Sequence, residues 1–294
     1  MKIPRSRIRE ILAAAPRFTR KPRHLDLPRL LCRLREDLRI KLAEHMQPCM
    51  VLLDESVQFF IHFERHLYST KLTSASSQFA LQISRLRSDT IAIRETIAIG
   101  QEAAAGVLAR AFLEGIELAM ALAVDESFAK SYSETEDQSA FWRRQIGYGN
   151  IYRIVEEFLS RAGLQPSGIE SVIRYHNQVK DALSAHVHGA PHSALRSAAI
   201  PSISHPGLLH VNSLGELSAH LPMICLFVAT TTQTFSGGCI KLIIKPNPPA
   251  AFAATTTTGR LNDAIASAHL IQVLLAQYGE DIQNHYDSLL NADS

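Results

Sequence analysis

Two sets of polar residues stand at spacings that could do chemistry. Arg110, Glu114 and Glu117 interrupt an otherwise apolar run, and at about 100° per residue they share one wedge of a helix. Asn177, Asp181, Ser184 and His188 likewise fall within about 60° of one another on a second helix. If the two stripes face each other, they enclose a polar pocket in an apolar surround. Its chemistry would be acid–base. His188 would move a proton near neutrality, Arg110 would hold a phosphate or carboxylate through its planar fork, Glu114 would orient it, and Ser184 would complete the second stripe. The same residues also suit a purely structural role, because Arg110 and Glu114 at i, i+4 neutralise each other and a buried polar network can specify packing alone. Both readings stay open at this level.

The elements that must position these residues are helical. Gly100 to Val124 is apolar nearly all round, with Leu108, Phe112, Leu113, Ile116, Leu118, Met120 and Leu122 covering most of the wheel, so it belongs at the centre of a core. Before it, Phe79, Ile83, Leu86, Thr90, Ile93 and Ile97 form a heptad-like seam over Ser74 to Ala98, expected either to fold back on the central helix at Gly100 or to run into it with a bend. Helical spacing also marks Leu30 to Lys41 and Met50 to Leu67, separated at Pro48, and Ile151 to Ala162, stopped by Gly163 and Pro166. A further helix from Ser167 directs Ile169, Val172, Ile173, His176, Val179, Leu183 and Val187 to one side. Ala190 to Asn212 reads as loop and Leu214 to Thr230 as an apolar helical run, and Gly237, Gly238 and the Pro246, Pro248 and Pro249 cluster mark a further interruption after it. Lys241 to Lys245 is expected to be a short strand or nothing regular. Gly259 to Leu290 closes the chain as a long helix with Leu261, Ile265, Ala268, Ile271, Leu275, Tyr278, Ile282 and Leu289 inward. Phe128, Tyr132, Phe141 and Trp142 flank an acidic loop, equally suited to a lid or to packing.

Composition sets the frame. With 46% hydrophobic and 20% charged residues the chain is globular rather than disordered. Its charge is uneven: residues 1–41 hold 13 Lys and Arg against 4 acidic residues, while the rest is mildly acidic. Residues 1–28 alternate basic side chains with Pro4, Pro16, Pro22 and Pro28, which suits an arm tracking a phosphate backbone through Arg5, Arg7, Arg9, Arg17, Arg20, Lys21 and Arg23. Cys32, Cys49, Cys225 and Cys239 stand in no CxxC spacing and read as reduced, mostly packed thiols. Arg5, Arg7, Arg9 and Glu10 occupy the place where a secretory leader needs an apolar run, and Leu221 to Val228 is too short to span a membrane, so the expectation is cytoplasmic with no membrane partner. Six histidines fall between His186 and His220, yet His186 and His188 point about 200° apart on a helix and no HExxH occurs. No metal and no cofactor is therefore expected, and nucleotide-loop or esterase motifs are missing.

Two motifs resemble a known family. Arg110-Ala-Phe-Leu-Glu114 and Leu183-Ser-Ala-His-Val-His188-Gly189 are similar to the RxxxE and LSxxVHG signatures of an uncharacterised prokaryotic all-helical family, over about Ile91 to Gly189. This chain has Lys180 where many members carry an aromatic residue. More distantly the pattern resembles the HEPN superfamily. Its RNase members use an R-x4–6-H motif, for which Lys180 with His186 is the nearest substitute here. The resemblance implies a role in phage defence or a toxin–antitoxin-like system, engaging or cleaving RNA without metal. It also leaves room for a non-catalytic subunit that holds a partner protein or nucleic acid through the arm. The expectation is thus an all-α, irregular multi-helix bundle with a HEPN-like core. Residues 1–28 would be a basic arm and 29–294 a single helical domain, with a core about 74–190 and closing helices 213–290, acting as a homo-oligomer.

Overall fold

A computed structural model describes residues 27–187, 199–201, 209–211, 217–252 and 259–291. The fold is all-α, an irregular multi-helix bundle. In order come α1 (Leu27–His45), α2 (Gln47–Leu67), α3 (Ser74–Ala98), α4 (Glu102–Val124), α5 (Glu126–Glu134), α6 (Gln138–Phe141), α7 (Tyr152–Arg161), α8 (Pro166–Val187), α9 (Leu221–Ile243) and α10 (Gly259–Asn291). A π-helical turn (Trp142–Ile146) and a 3-10 turn (Gly147–Gly149) join α6 to α7, and a second 3-10 turn covers Ala250–Phe252. Within the stretch expected to be loop, β1 (Ala199–Pro201) pairs antiparallel with β2 (Leu209–Val211) in the register Ala199 with Val211.

Local sequence explains the boundaries. Thr73 and Ser76 form a reciprocal capping box that starts α3, the Thr73 amide donating to Ser76 Oγ at 2.7 Å. Gly100, at φ 71°, turns α3 back on α4 where a side chain would be strained. The hairpin is then tied by Gln82 Nε2, which donates to the Gly115 carbonyl at 2.9 Å. The Asp125 carboxylate accepts from the Phe128 amide at 2.9 Å and starts α5. Gly163, at φ 87°, ends α7, as expected. α1 begins at Leu27, so the boundary expected after residue 28 falls inside its first turn.

One core runs from α1 to α10. The six seam residues of α3 are fully buried, and every residue of α4 from Gly115 to Val124 is buried. Phe60 of α2 meets Phe112 of α4 at 5.8 Å between ring centroids and Phe235 of α9 at 6.2 Å, and Phe158 of α7 stacks on Phe235 at 6.1 Å. Three expectations need correction. The Gly237–Gly238 interruption and the strand at Lys241 to Lys245 do not form, because α9 runs unbroken to Ile243. Gly238 is there because α7 crosses at contact distance: a Cβ would sit 2.4 Å from Phe158 Cε1. The α9 helix begins at Leu221 rather than Leu214, and among the described residues it is the one helix long and apolar enough to cross a membrane, longer than the eight-residue run read from sequence; 61% of its apolar window is buried against the bundle. Finally, Val187, the last residue of α8, and Tyr278 of α10 are exposed rather than inward.

Candidate functional site

The two stripes meet. Arg110 on α4 donates from Nε to Glu114 Oε1 at 2.8 Å and from Nη1 across to α8, to the Lys180 carbonyl at 2.5 Å and Ser184 Oγ at 2.7 Å. Ser184 in turn donates to the Lys180 carbonyl at 2.7 Å. Three acceptors thus fix the guanidinium and leave its Nη2 without a partner among the described residues. One turn along, Glu117 is almost fully buried and takes Lys180 Nζ on Oε2 at 2.5 Å and His176 Nδ1 on Oε1 at 3.2 Å. Lys180 also donates to the Tyr152 hydroxyl at 2.9 Å, and that hydroxyl donates to Asn177 Oδ1 at 2.8 Å. The ammonium lies 4.8 Å from the Tyr152 ring centroid, so its contact is with the oxygen rather than the ring face.

The electrostatics follow from that wiring. Burial acts to raise the Glu117 pKa, but the His176 hydrogen bond and the Lys180 charge outweigh it and hold the carboxyl below its ordinary value. The Tyr152 phenol moves the other way, pushed well up by burial first and then by the Glu117 carboxylate, so it stays a neutral donor. An ionised Glu117 requires His176 Nδ1 to be the donor in their contact. Each member of this buried ion pair makes a second polar contact, Lys180 to Tyr152 and Glu117 to His176, which helps to offset the cost of burying the charges.

Above it opens a cavity of about 680 Å³. Arg110, Glu114 and Glu117 of α4 form one wall, Asn177, Lys180 and Asp181 of α8 the facing wall, and Tyr152 starts α7 between them. Trp142, Arg143, Ile146, Gly147 and Gly149 of the π and 3-10 turns make the rim. A π turn carries more residues per hydrogen bond than an α turn, and such turns recur at working sites. Asn150 Nδ2 holds this one by donating to the Arg143 and Arg144 carbonyls at 3.4 and 3.1 Å. The aromatic group divided between lid and packing in the sequence is split here. Phe128 and Phe141 are buried and Tyr132 packs on Phe141 at 5.6 Å, whereas Trp142 is exposed at the rim.

Of the residues singled out from sequence, Arg110, Glu114 and Ser184 come together, with Asn177 and Asp181 on the same wall. His188 lies outside the described residues, as do Arg5, Arg7, Arg9, Arg17, Arg20, Lys21 and Arg23. Lys180, taken as the start of a K-x5-H substitute, is instead committed to Glu117 and Tyr152, because its long stem reaches the buried carboxylate. Tyr152, Trp142 and Arg143 carried no periodic signal, since they sit on turns and at a helix start. A second polar cluster joins Glu102, Ser218 and His220: Ser218 Oγ bonds Glu102 Oε2, and His220 Nδ1 lies 3.3 Å from Ser218 Oγ and 3.4 Å from Glu102 Oε1. Serine and carboxylate address the same ring nitrogen, so the relay of a hydrolytic triad is not built, and the cluster clasps the start of α4 to the turn before α9. Among the described residues no group of three His, Cys, Asp or Glu could hold a metal ion. Compared with protein-family models, curated proteins and solved structures, the chain finds no match.

Proposed function

We propose that the chain is a HEPN-like helical effector that engages single-stranded RNA at the cavity between α4 and α8, in a cytoplasmic phage-defence or toxin–antitoxin-like system. Arg110 holds a phosphate, Glu114 keeps its guanidinium oriented, and His188 supplies the proton-transfer group for cleavage without metal. One observation carries this reading: Arg110 is locked by three acceptors beside an open, nucleotide-sized cavity, with Nη2 unspent. A preorganised cation next to a cavity suits a phosphate better than a floppy surface arginine does, because its ordering cost is already met. Labelled single-stranded RNA, titrated in a chelator-containing buffer, tests it. Arg110→Ala should weaken binding and remove cleavage, and His188→Ala should remove cleavage alone, with helical circular dichroism unchanged. Cleavage that survives His188→Ala, or binding indifferent to Arg110, overturns the site.

The exposed arginines of α1 favour a second reading, a non-catalytic interaction subunit. Arg33, Arg35 and Arg39 are exposed and continue the basic arm, and Arg35 and Arg39 line a cavity of about 400 Å³ with Leu42, Met50 and Val51. In that case deleting residues 1–26 removes binding of nucleic acid or a partner protein and leaves the fold intact. RNA affinity would then fall steeply with salt.

A further inference from the structure

The cavity's side chains fall into two sets. The floor spends its polar atoms internally: Lys180, Glu117, Tyr152 and Asn177 bond one another, and Glu117 also holds the buried His176 behind them. The rim does not. Among the described residues the Trp142 indole N–H, the Arg143 guanidinium and the Asp181 carboxylate make no hydrogen bond or ion pair, though all three line the cavity and are exposed. The Asp181 charge is close enough to the floor to help push the Tyr152 phenol up. Gly147 sits against the indole: a Cβ there would stand 3.8 Å from Trp142 Cδ1 and 3.9 Å from Nε1, at ordinary contact distance.

Resting on the RNA reading of this site, we propose that the rim selects guanine: the base stacks on Trp142 and presents its Watson–Crick edge to Asp181, while Arg143 holds the adjoining phosphate. An indole face stacks any base, so Trp142 supplies attachment without choice. The choice comes from Asp181. An ionised carboxylate only accepts, with two oxygens side by side. Guanine alone offers two neighbouring donors, N1–H and N2–H, to match them. Adenine and cytosine set a lone pair beside their single amino group, and uracil flanks N3–H with two carbonyls, so each brings an acceptor against the charge. Among the described residues Arg143 is the one rim cation, and its planar fork suits a phosphate.

Trp142 is the only tryptophan in the chain, so its fluorescence reports the event directly. Wild-type protein is titrated with uridine-rich single-stranded RNAs that differ at one central base. The guanine-bearing strand should quench Trp142 and bind roughly 5- to 150-fold more tightly than the other three, the range for a bidentate base contact. Asp181→Asn should erase that preference while quenching persists, and Arg143→Ala should weaken all four strands alike. Among the described residues neither side chain makes a hydrogen bond or ion pair, so both variants should fold. Quenching by all four strands with equal affinity overturns guanine selection and leaves the RNA-binding cavity standing. Binding that leaves Trp142 silent and ignores Arg110→Ala, or no binding at all, removes the RNA reading of the cavity and this inference with it.

Discussion

Removing the Lys180 ammonium would leave an ionised Glu117 in the interior with only His176 beside it. Lys180→Met should therefore cost about 3–5 kcal/mol, the range for breaking a buried pair by deleting one partner. The double variant Glu117→Gln with Lys180→Met should recover much of that loss, which chemical denaturation of the three proteins would measure. The pH dependence has a definite sign. Because Glu117 titrates lower in the folded chain than its ordinary value of 4.5, the unfolded state binds more protons in that window. Its contribution is present above about pH 4.5 and is lost as the pH falls through the lowered folded value. Glu117→Gln should flatten that part of the acid-unfolding curve, and an unchanged curve would show that the charge is compensated some other way. Arg110, Glu114 and Glu117 were recognisable in sequence as one wedge, and Asn177, Asp181 and Ser184 as another. The residue that joins the wedges, Lys180, was visible as a departure from one motif and as the cation of a K-x5-H substitute, but not as a partner of Glu117, since nothing in its own helix names a partner 63 positions away.

Helices whose faces repeat cleanly are those whose packing could be anticipated, and α9 shows where this fails. Two adjacent glycines in an apolar run are ordinarily a break, as each costs about 1 kcal/mol in a helix relative to alanine. Here Gly238 is the contact point with Phe158, and its missing side chain lets two helices close. Gly238→Ala should destabilise the protein by about 1–3 kcal/mol through overpacking. Gly237→Ala, with nothing within 4 Å of its Cβ, should be neutral or stabilising by up to about 1 kcal/mol. Thermal melts of the two variants separate the explanations: equal losses would mean that the helix needs flexibility at this point rather than room.

Across the whole molecule one apolar cluster links the first described helix to the last, and its thiols report on it. Cys32 is exposed; burial pushes the Cys49 thiol up to about 12, and the buried Cys225 and Cys239 well above their ordinary value. A thiol reagent should modify Cys32 quickly in the native protein and reach the other three only after denaturation. Fast reaction at Cys49 would mean that α2 opens from the core more readily than its packing implies.

The sequence by itself determined the class of fold, the buried seam of α3, and the grouping of polar residues on two helices, because each of these depends on periodicity within a single segment. Tertiary structure decided the rest. It set the crossing that turns Gly238 from a break into a contact, the reach of Lys180 into Glu117, and the placing of Trp142 and Arg143 over the cavity. Each of these depends on a partner remote in the chain, and helical periodicity carries no information about which faces meet.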